Sequence, residues 1–252
     1  MGLADLHMHS THSWDGTATV AAMLKTAAAR RLNVVAVTDH DQMAGALEAL
    51  ELAPAYGLEV VPGIEVSTTA GHLLALYVQR PVPSGRSLVE TLWRIGEAGG
   101  LAVAAHPGAL GMDSLSARVI RRIRRGGDLA RVLVGLETLN GSLIFRRRSS
   151  ALAQPLAQAL GMAHVGNSDA HSPALIGSGM TRFVGQTAAD LRRALESSCT
   201  QALALEPTGA LAVAADWLPR YVLRCAGWAA ANPHADQPVR LSRLAGRLSE
   251  AR

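Results

Sequence analysis

His7 and His9 stand two residues apart at the end of a short apolar run, Leu3 to His7. In an extended strand that spacing sends both imidazoles to the same side, as two ligands of one metal ion require. Similar endings recur along the chain. Asp39-His40 follows Asn33 to Thr38, Glu65 closes Leu58 to Glu65, His106 follows Leu101 to Ala105, Glu137 closes Val132 to Glu137, and Asp169 and His171 follow Ala163 to Gly166. Alone, each reads equally well as an ordinary strand-end histidine or a carboxylate paired with an arginine. Together they place imidazoles and carboxylates where several strands end. A buried carboxylate such as Glu65 is costly unless a cation meets it. Asp39 and His40 are adjacent and point different ways, so one is expected to bind metal while the other supports a ligand. Mixed imidazole and carboxylate shells suit zinc, manganese or iron, and two or three such ions are expected. Their chemistry is hydrolysis by water whose pKa is lowered toward ~7. Phosphate esters, which react very slowly unaided and depend on electrostatic stabilisation, are the favoured target.

These residues need a scaffold that gathers strand ends. Helical stretches separate the apolar runs: Thr19 to Arg31, Met43 to Tyr56, Leu88 to Ala98, Ser114 to Arg125, Arg146 to Leu160 and Ala188 to Ser197. Two further runs, Leu73 to Val78 and Gln201 to Ala204, complete the strands. Alternation of strand and helix argues for an α/β fold with a mostly parallel sheet. The chain's 252 residues match the ~250 of a closed α/β barrel, whose active sites lie at the carboxyl ends of its strands. The barrel domain is expected over residues 1–206. Residues 207–252 break the rhythm and are expected to form a helical extension and polar tail, packed on the barrel or at a contact between two copies. Asp216 is expected to cap that helix, with Pro219 in its first turn. His234 falls in the tail, and His164, at a strand start, is expected to be structural.

Composition narrows the class. Apolar residues make up 49% of the chain and aromatic residues 4%, so Leu, Val and Ala must fill the core. A formal charge of +4 suits an anionic substrate and is mild for a nucleic-acid binder. Cys199 and Cys225 form no disulfide framework, no apolar run is long enough for a membrane span, and no leader precedes His7; a cytoplasmic protein is expected. No P-loop, Rossmann fingerprint or serine-nucleophile motif is present.

The stretches Asp5-Leu-His-Met-His-Ser, Thr38-Asp-His-Asp, Gly63-Ile-Glu, His72-Leu-Leu, Ala105-His-Pro-Gly, Glu137-Thr-Leu-Asn140 and Ser168-Asp-Ala-His span residues 5 to 171. Their order resembles the PHP family, named for polymerase and histidinol phosphatase. The resemblance implies a distorted (βα)7 barrel with a site for two or three metals. It implies that His7, His9 and Asp169 hold the first ion, with Glu65 bridging to a second completed by His72 and His106. A third would lie on His40 and His171 with a ligand from the loop after His9. Where many relatives carry Ser-Asp-Gly, this chain has Ser13-Trp14-Asp15-Gly16. Asp15 is the favoured third-site ligand, with His12 the alternative or a proton donor to the leaving oxygen. Apart from the resemblance, Arg182 lies in sequence just past Asp169 and His171 and is the candidate phosphate clamp. The other arginine-rich stretches, Arg118 to Arg125 and Arg146 to Arg148, read as solvated surface.

A phosphatase or phosphodiesterase on a small phosphorylated metabolite or nucleotide is therefore the leading expectation. An amidohydrolase-type C–N hydrolase is the first rival, but Lys25, the only lysine, lies in a helix and cannot serve as a carbamylated bridge at a strand end. A non-catalytic module is disfavoured by the nearly complete ligand set. A nuclease acting on nucleic-acid ends is disfavoured by the short connection from His106 to Glu137.

Overall fold

A computed structural model describes residues 1–109, 114–142, 146–205 and 210–225, with side chains at 146–149, 210–212 and 225 outside the description. The polar tail with His234, and the side chains of Arg146, Arg147 and Arg148, lie outside the described residues. The fold is mixed α/β, with two five-stranded sheets. In chain order the strands are β1 (Gly2–Asp5), β2 (Val34–Val35), β3 (Glu59–Val60), β4 (Gly63–Thr68), β5 (Gly71–Leu76), β6 (Leu101–Ala104), β7 (Leu133–Asn140), β8 (Ala163–Asn167), β9 (Gly179–Phe183) and β10 (Gln201–Ala204). The helices are α1 (Val20–Ala29), α2 (Ala44–Leu52), α3 (Leu88–Glu97), α4 (Ala117–Arg124), α5 (Leu129–Val132), α6 (Arg146–Leu160), α7 (Ala188–Glu196) and α8 (Ala210–Cys225).

The expected (βα)7 barrel is not what the strand ladders form. One sheet runs β10-β9-β1-β2-β3 and the other β4-β5-β6-β7-β8, and no closed ladder joins them among the described residues. Two local features account for this. The apolar run from Leu58 to Glu65 is cut at Pro62, which has no N–H to continue a ladder, so β3 and β4 fall in different sheets. At the other seam a side chain replaces the ladder: the Thr181 hydroxyl donates to Gly166 O at 2.8 Å and accepts from Gly166 N at 3.0 Å. Direction also departs from strict alternation. β4 and β5 form an antiparallel hairpin, β5 runs antiparallel to β6, and β9, unforeseen in the sequence, runs antiparallel to β1 and β10.

Side-chain alternation along the strands builds the layers. On β5, Leu74 and Leu76 face an inner cluster, while Leu73 and Ala75 face an outer one. The inner cluster takes Ala4 from the first sheet, Leu6 just past β1, and Val103 and Val165 from the second sheet, and α7 adds Leu191 and Leu195. It forms an apolar floor between the sheets. Outer clusters bury α1 and α2 against β2, and α3, α4 and α6 against the second sheet. Helix α8 begins earlier than expected, in the alanine-rich run from Ala210, so Asp216 and Pro219 lie inside it rather than at its start. Val213 packs with Leu175 and Ile176, so the helix lies against the segment that follows His171. No described helix is long and apolar enough to cross a membrane.

Candidate metal centre

Above the apolar floor the polar strand ends converge. Glu65 sits on β4 between Ile64 and Val66, which face the outer cluster, so its own side chain turns inward. Five imidazoles meet its carboxylate: His7 Nε2 at 3.1 Å, His9 Nε2 at 3.3 Å and His40 Nδ1 at 3.3 Å on Oε2, with His72 Nδ1 at 3.0 Å and His106 Nε2 at 3.2 Å on Oε1. His72 reaches it because β5 is antiparallel to β4: the start of β5 lies at the end of β4, with Ser67 opposite His72. Asp169 Oδ1 lies 3.4 Å from both His7 Nε2 and His9 Nε2. Asp15 Oδ2 lies 2.9 Å from His171 Nε2 and 3.3 Å from His40 Nε2. The ligand atoms form overlapping groups, each within 4.8 Å: His7, His9 and Asp169; His40, Glu65 and His72; and His9, Asp15, His40 and His171.

Other residues aim these ligands. Glu137 accepts from His7 Nδ1 at 2.8 Å, from Asn167 Nδ2 at 2.7 Å, from the His106 amide at 2.6 Å and from Asn140 Nδ2 at 3.1 Å. The first of these bonds leaves His7 Nε2 free to face Glu65, the tautomer an ion needs. Asn140 also donates to Asp169 Oδ2 at 3.1 Å. Asp39 accepts from the Ser10 amide at 2.6 Å and the Ser10 hydroxyl at 2.7 Å, which places it behind the site as a support for the loop. Gly45 makes room for it, because a Cβ there would run into the Asp39 carboxylate. Ser13 donates to Asp15 Oδ1 at 2.8 Å. His106 and Asp169 both hold positive φ, at 28° and 51°, where non-glycine residues are uncommon and strain gathers at functional sites.

The electrostatics fit ion binding. Burial works against charge on His7, His9, Asp15, Glu65 and Asp169, yet the opposite charges around them prevail. Burial lowers the pKa of His9, but the nearby carboxylates of Asp169 and Glu65 prevail and raise it to about 10. Burial likewise opposes charge on His7, and Asp169, Glu65 and Glu137 push its pKa well up. Burial would raise Glu65, but His7, His106 and His72 hold it well below the usual carboxylate range. Asp15 and Asp169 are lowered against their own burial, chiefly by His171 and His40 for the first and His7 for the second. Asp39, outside the imidazole ring, goes the other way: burial raises it. His9 Nε2 is fully buried and has no hydrogen-bond partner among the described residues, although two carboxylates stand 3.3 and 3.4 Å away. A nitrogen buried among carboxylates without a hydrogen bond is what a cation-binding position needs, and the donor set suits borderline divalent ions.

Residues 5–93 match the family model of the PHP domain, and residues 148–199 match that of the PHP-associated region. The chain belongs to the PHP family. An uncharacterised protein of Methanocaldococcus jannaschii is 39% identical to this PHP chain over 114 residues, 41% of the chain and 67% of that protein. A phosphoribosyl 1,2-cyclic phosphate 1,2-diphosphodiesterase of Eggerthella lenta is 41% identical over 88 residues, 32% of the chain and 33% of that enzyme. The chain thus spans only a third of that enzyme's length. A two-domain Bacteroides vulgatus protein, described as containing a predicted PHP-like metal-dependent phosphoesterase, superposes with a TM-score of 0.65 at 18% identity, over 88% of this chain and 69% of that one. At that identity the likeness is one of fold.

Within this PHP fold the expected residues separate. His7, His9, Asp15, His40, Glu65, His72, His106, Asp169 and His171 come together. His12 does not: its Nε2 lies 2.7 Å from Glu48 at the exposed edge, away from the imidazole cluster. Arg182 does not either. It stands opposite Leu3 on antiparallel β9, so the strand carries it away from the end of β1 that bears the histidines, and it bonds Gln201. The orienting residues Asn167 and Ser114 went unremarked in the sequence, and Ser10 appeared there only as the end of a motif, because single asparagines and serines carry no spacing signal. Ser114 accepts from or donates to His106 Nδ1 at 3.3 Å and donates to His106 O at 2.9 Å.

Proposed function

We propose that this chain is a metal-dependent hydrolase of phosphate esters, acting on a small phosphorylated metabolite or nucleotide. The observation that carries the reading is the Glu65 carboxylate ringed by five imidazole nitrogens, with Asp169 and Asp15 on its flanks. His7, His9 and Asp169 would hold one ion, His72 and His106 a second, and Asp15, His40 and His171 a third, with Glu65 shared between the first two. Zinc, manganese and iron all suit these donors. When bound, such ions supply the Lewis acidity that activates water and offsets phosphate charge.

The chain's own residues prepare the site. Glu137 fixes the His7 tautomer, and Asn140 links Glu137 to Asp169, so two strand ends are set relative to each other. The inner apolar cluster closes the site from below and leaves access from the strand-end side. Trp14 stands at that mouth, 69% exposed, its ring stacked 5.7 Å from His40. The C–N hydrolase alternative lacks its bridge: Lys25 is exposed on α1, and Glu65 occupies the central position. The 41% identity to the Eggerthella lenta diphosphodiesterase over 88 residues supports phosphoester rather than amide substrates. The test is elemental analysis of gently purified protein, with turnover of phosphate monoesters, phosphodiesters and amides by the same sample. Metal-bearing protein that hydrolyses amides and no phosphoester would overturn the reading.

A further inference from the structure

Helix α8 lies outside both matched family regions, yet it touches the two segments that carry Asp15 and His171. Arg224, in its last turn, donates through Nη1 to Thr11 O at 3.1 Å and to Gly16 O. These carbonyls bracket the stretch from His12 to Asp15. One turn earlier on the same side, Arg220 is buried and its Nε donates to Asp216 Oδ1 at 3.0 Å. Asp216 Oδ2 accepts from the Ala174 amide at 3.4 Å, three residues past His171. The two segments are also tied to each other, since the Thr17 amide and hydroxyl both donate to His171 O, at 3.0 and 2.6 Å.

We infer that α8 is a brace for the Asp15, His40 and His171 group, and that Arg224 is its positioning residue. The inference rests on the three-ion reading above. The loop from Ser10 to Ala18 has little regular structure of its own: it is pinned by the isolated bridge of Ser10 with Ala18 and by Thr17. The carbonyls of Thr11 and Gly16 receive the guanidinium. A planar, permanently charged group with several donors can hold two carbonyls at once, which a lysine cannot do as well. Without it, the loop that sets the Asp15 carboxylate against Ser13, His40 and His171 loses its outer support. The bonds from Arg224 and Asp216 reach the loop that carries Asp15 and the segment after His171, so the brace acts first on that ion position.

Metal content of the full chain after dialysis against a weak chelator tests this in Arg224→Ala, Arg224→Lys and, as a control, Arg94→Ala. Arg224→Ala is expected to lose about one ion per chain and to become roughly tenfold or more easily stripped at that position, the range for residues that orient ligands. Arg224→Lys should recover part of the loss, and Arg94→Ala should match the wild type. Unchanged ion content in Arg224→Ala, or equal loss at every position, would overturn the brace. If the wild type itself holds two ions, the three-ion reading fails separately, and amide hydrogen exchange decides the brace. Faster exchange at Ser13 and Thr17 with unchanged exchange at Leu74 supports it; unchanged exchange at all three refutes it.

Discussion

Replacing Glu65 with glutamine keeps the volume of the side chain and removes its charge. In the native site both carboxylate oxygens are engaged by imidazoles at 3.0 to 3.3 Å. A glutamine would offer an NH₂ to one of those two groups of nitrogens, where an acceptor is wanted. Two unit charges about 4 Å apart are worth roughly 4 kcal/mol at an effective dielectric near 20. At about 1.4 kcal/mol per factor of ten, losing one such pair lowers ion affinity about a thousandfold. That is a lower bound for a divalent ion shared between two positions. Competition with a chelator of known affinity measures it, with circular dichroism to show that the chain remains folded. Phosphoester turnover should fall with ion content. Arg94→Ala removes only an i,i+4 surface pair with Glu90 and should change neither. If Glu65→Gln protein keeps its ions against the chelator as the wild type does, Glu65 is not the shared ligand and the centre has been misplaced.

Asp15→Asn is expected to reduce bound metal by up to one ion per chain, while His12→Ala leaves the count intact because His12 faces Glu48; elemental analysis of both variants reverses the assignment if the losses fall the other way. Glu137→Gln leaves the ligands in place but presents a donor where four donors now converge. Ion affinity should fall about 10- to 100-fold, read by the same chelator competition, and an undiminished affinity would remove Glu137 from its orienting role. Arg182→Ala should leave metal content and the KM for a phosphate ester unchanged, since Arg182 lies opposite Leu3; a KM raised tenfold or more would restore it as a phosphate ligand.

Much of the centre was legible in the sequence because its ligands punctuate apolar runs. His7, His40, Glu65, His106 and Asp169 each follow residues that could only be core, and a strand must end where its apolar face gives out. β10 and α6 were expected with the boundaries they have, Gln201–Ala204 and Arg146–Leu160. β9 was not legible: Gly179-Met-Thr-Arg-Phe has neither alternation nor a dense apolar run, and its place is set by pairing with β1, far away in the sequence. The break at Pro62 was written in the residues, since proline ends a ladder, but which sheet each half joins was not. Arg182 was misjudged for a related reason. Its proximity in sequence to Asp169 and His171 implied the same rim, and the antiparallel course of β9 took it to the opposite end. Asp39 and His40 were expected to divide their roles, and the geometry shows which faces the cluster: His40 reaches Glu65 and Asp15, while Asp39 turns back to Ser10.

The carboxylates that meet the imidazoles also set a charge balance. Asp15, Glu65, Glu137 and Asp169 are the ones in contact with the clustered imidazoles, and together they bring four negative charges into a buried space. With the histidines neutral, as ligands must be, two divalent ions bring this interior to electroneutrality. A third leaves it with two positive charges. A phosphate monoester near neutral pH carries between ~1.5 and ~2 negative charges, and a diester carries one. The number of ions the protein keeps and the kind of ester it accepts are therefore a single electrostatic question, and counting the ions constrains the substrate before any substrate is known.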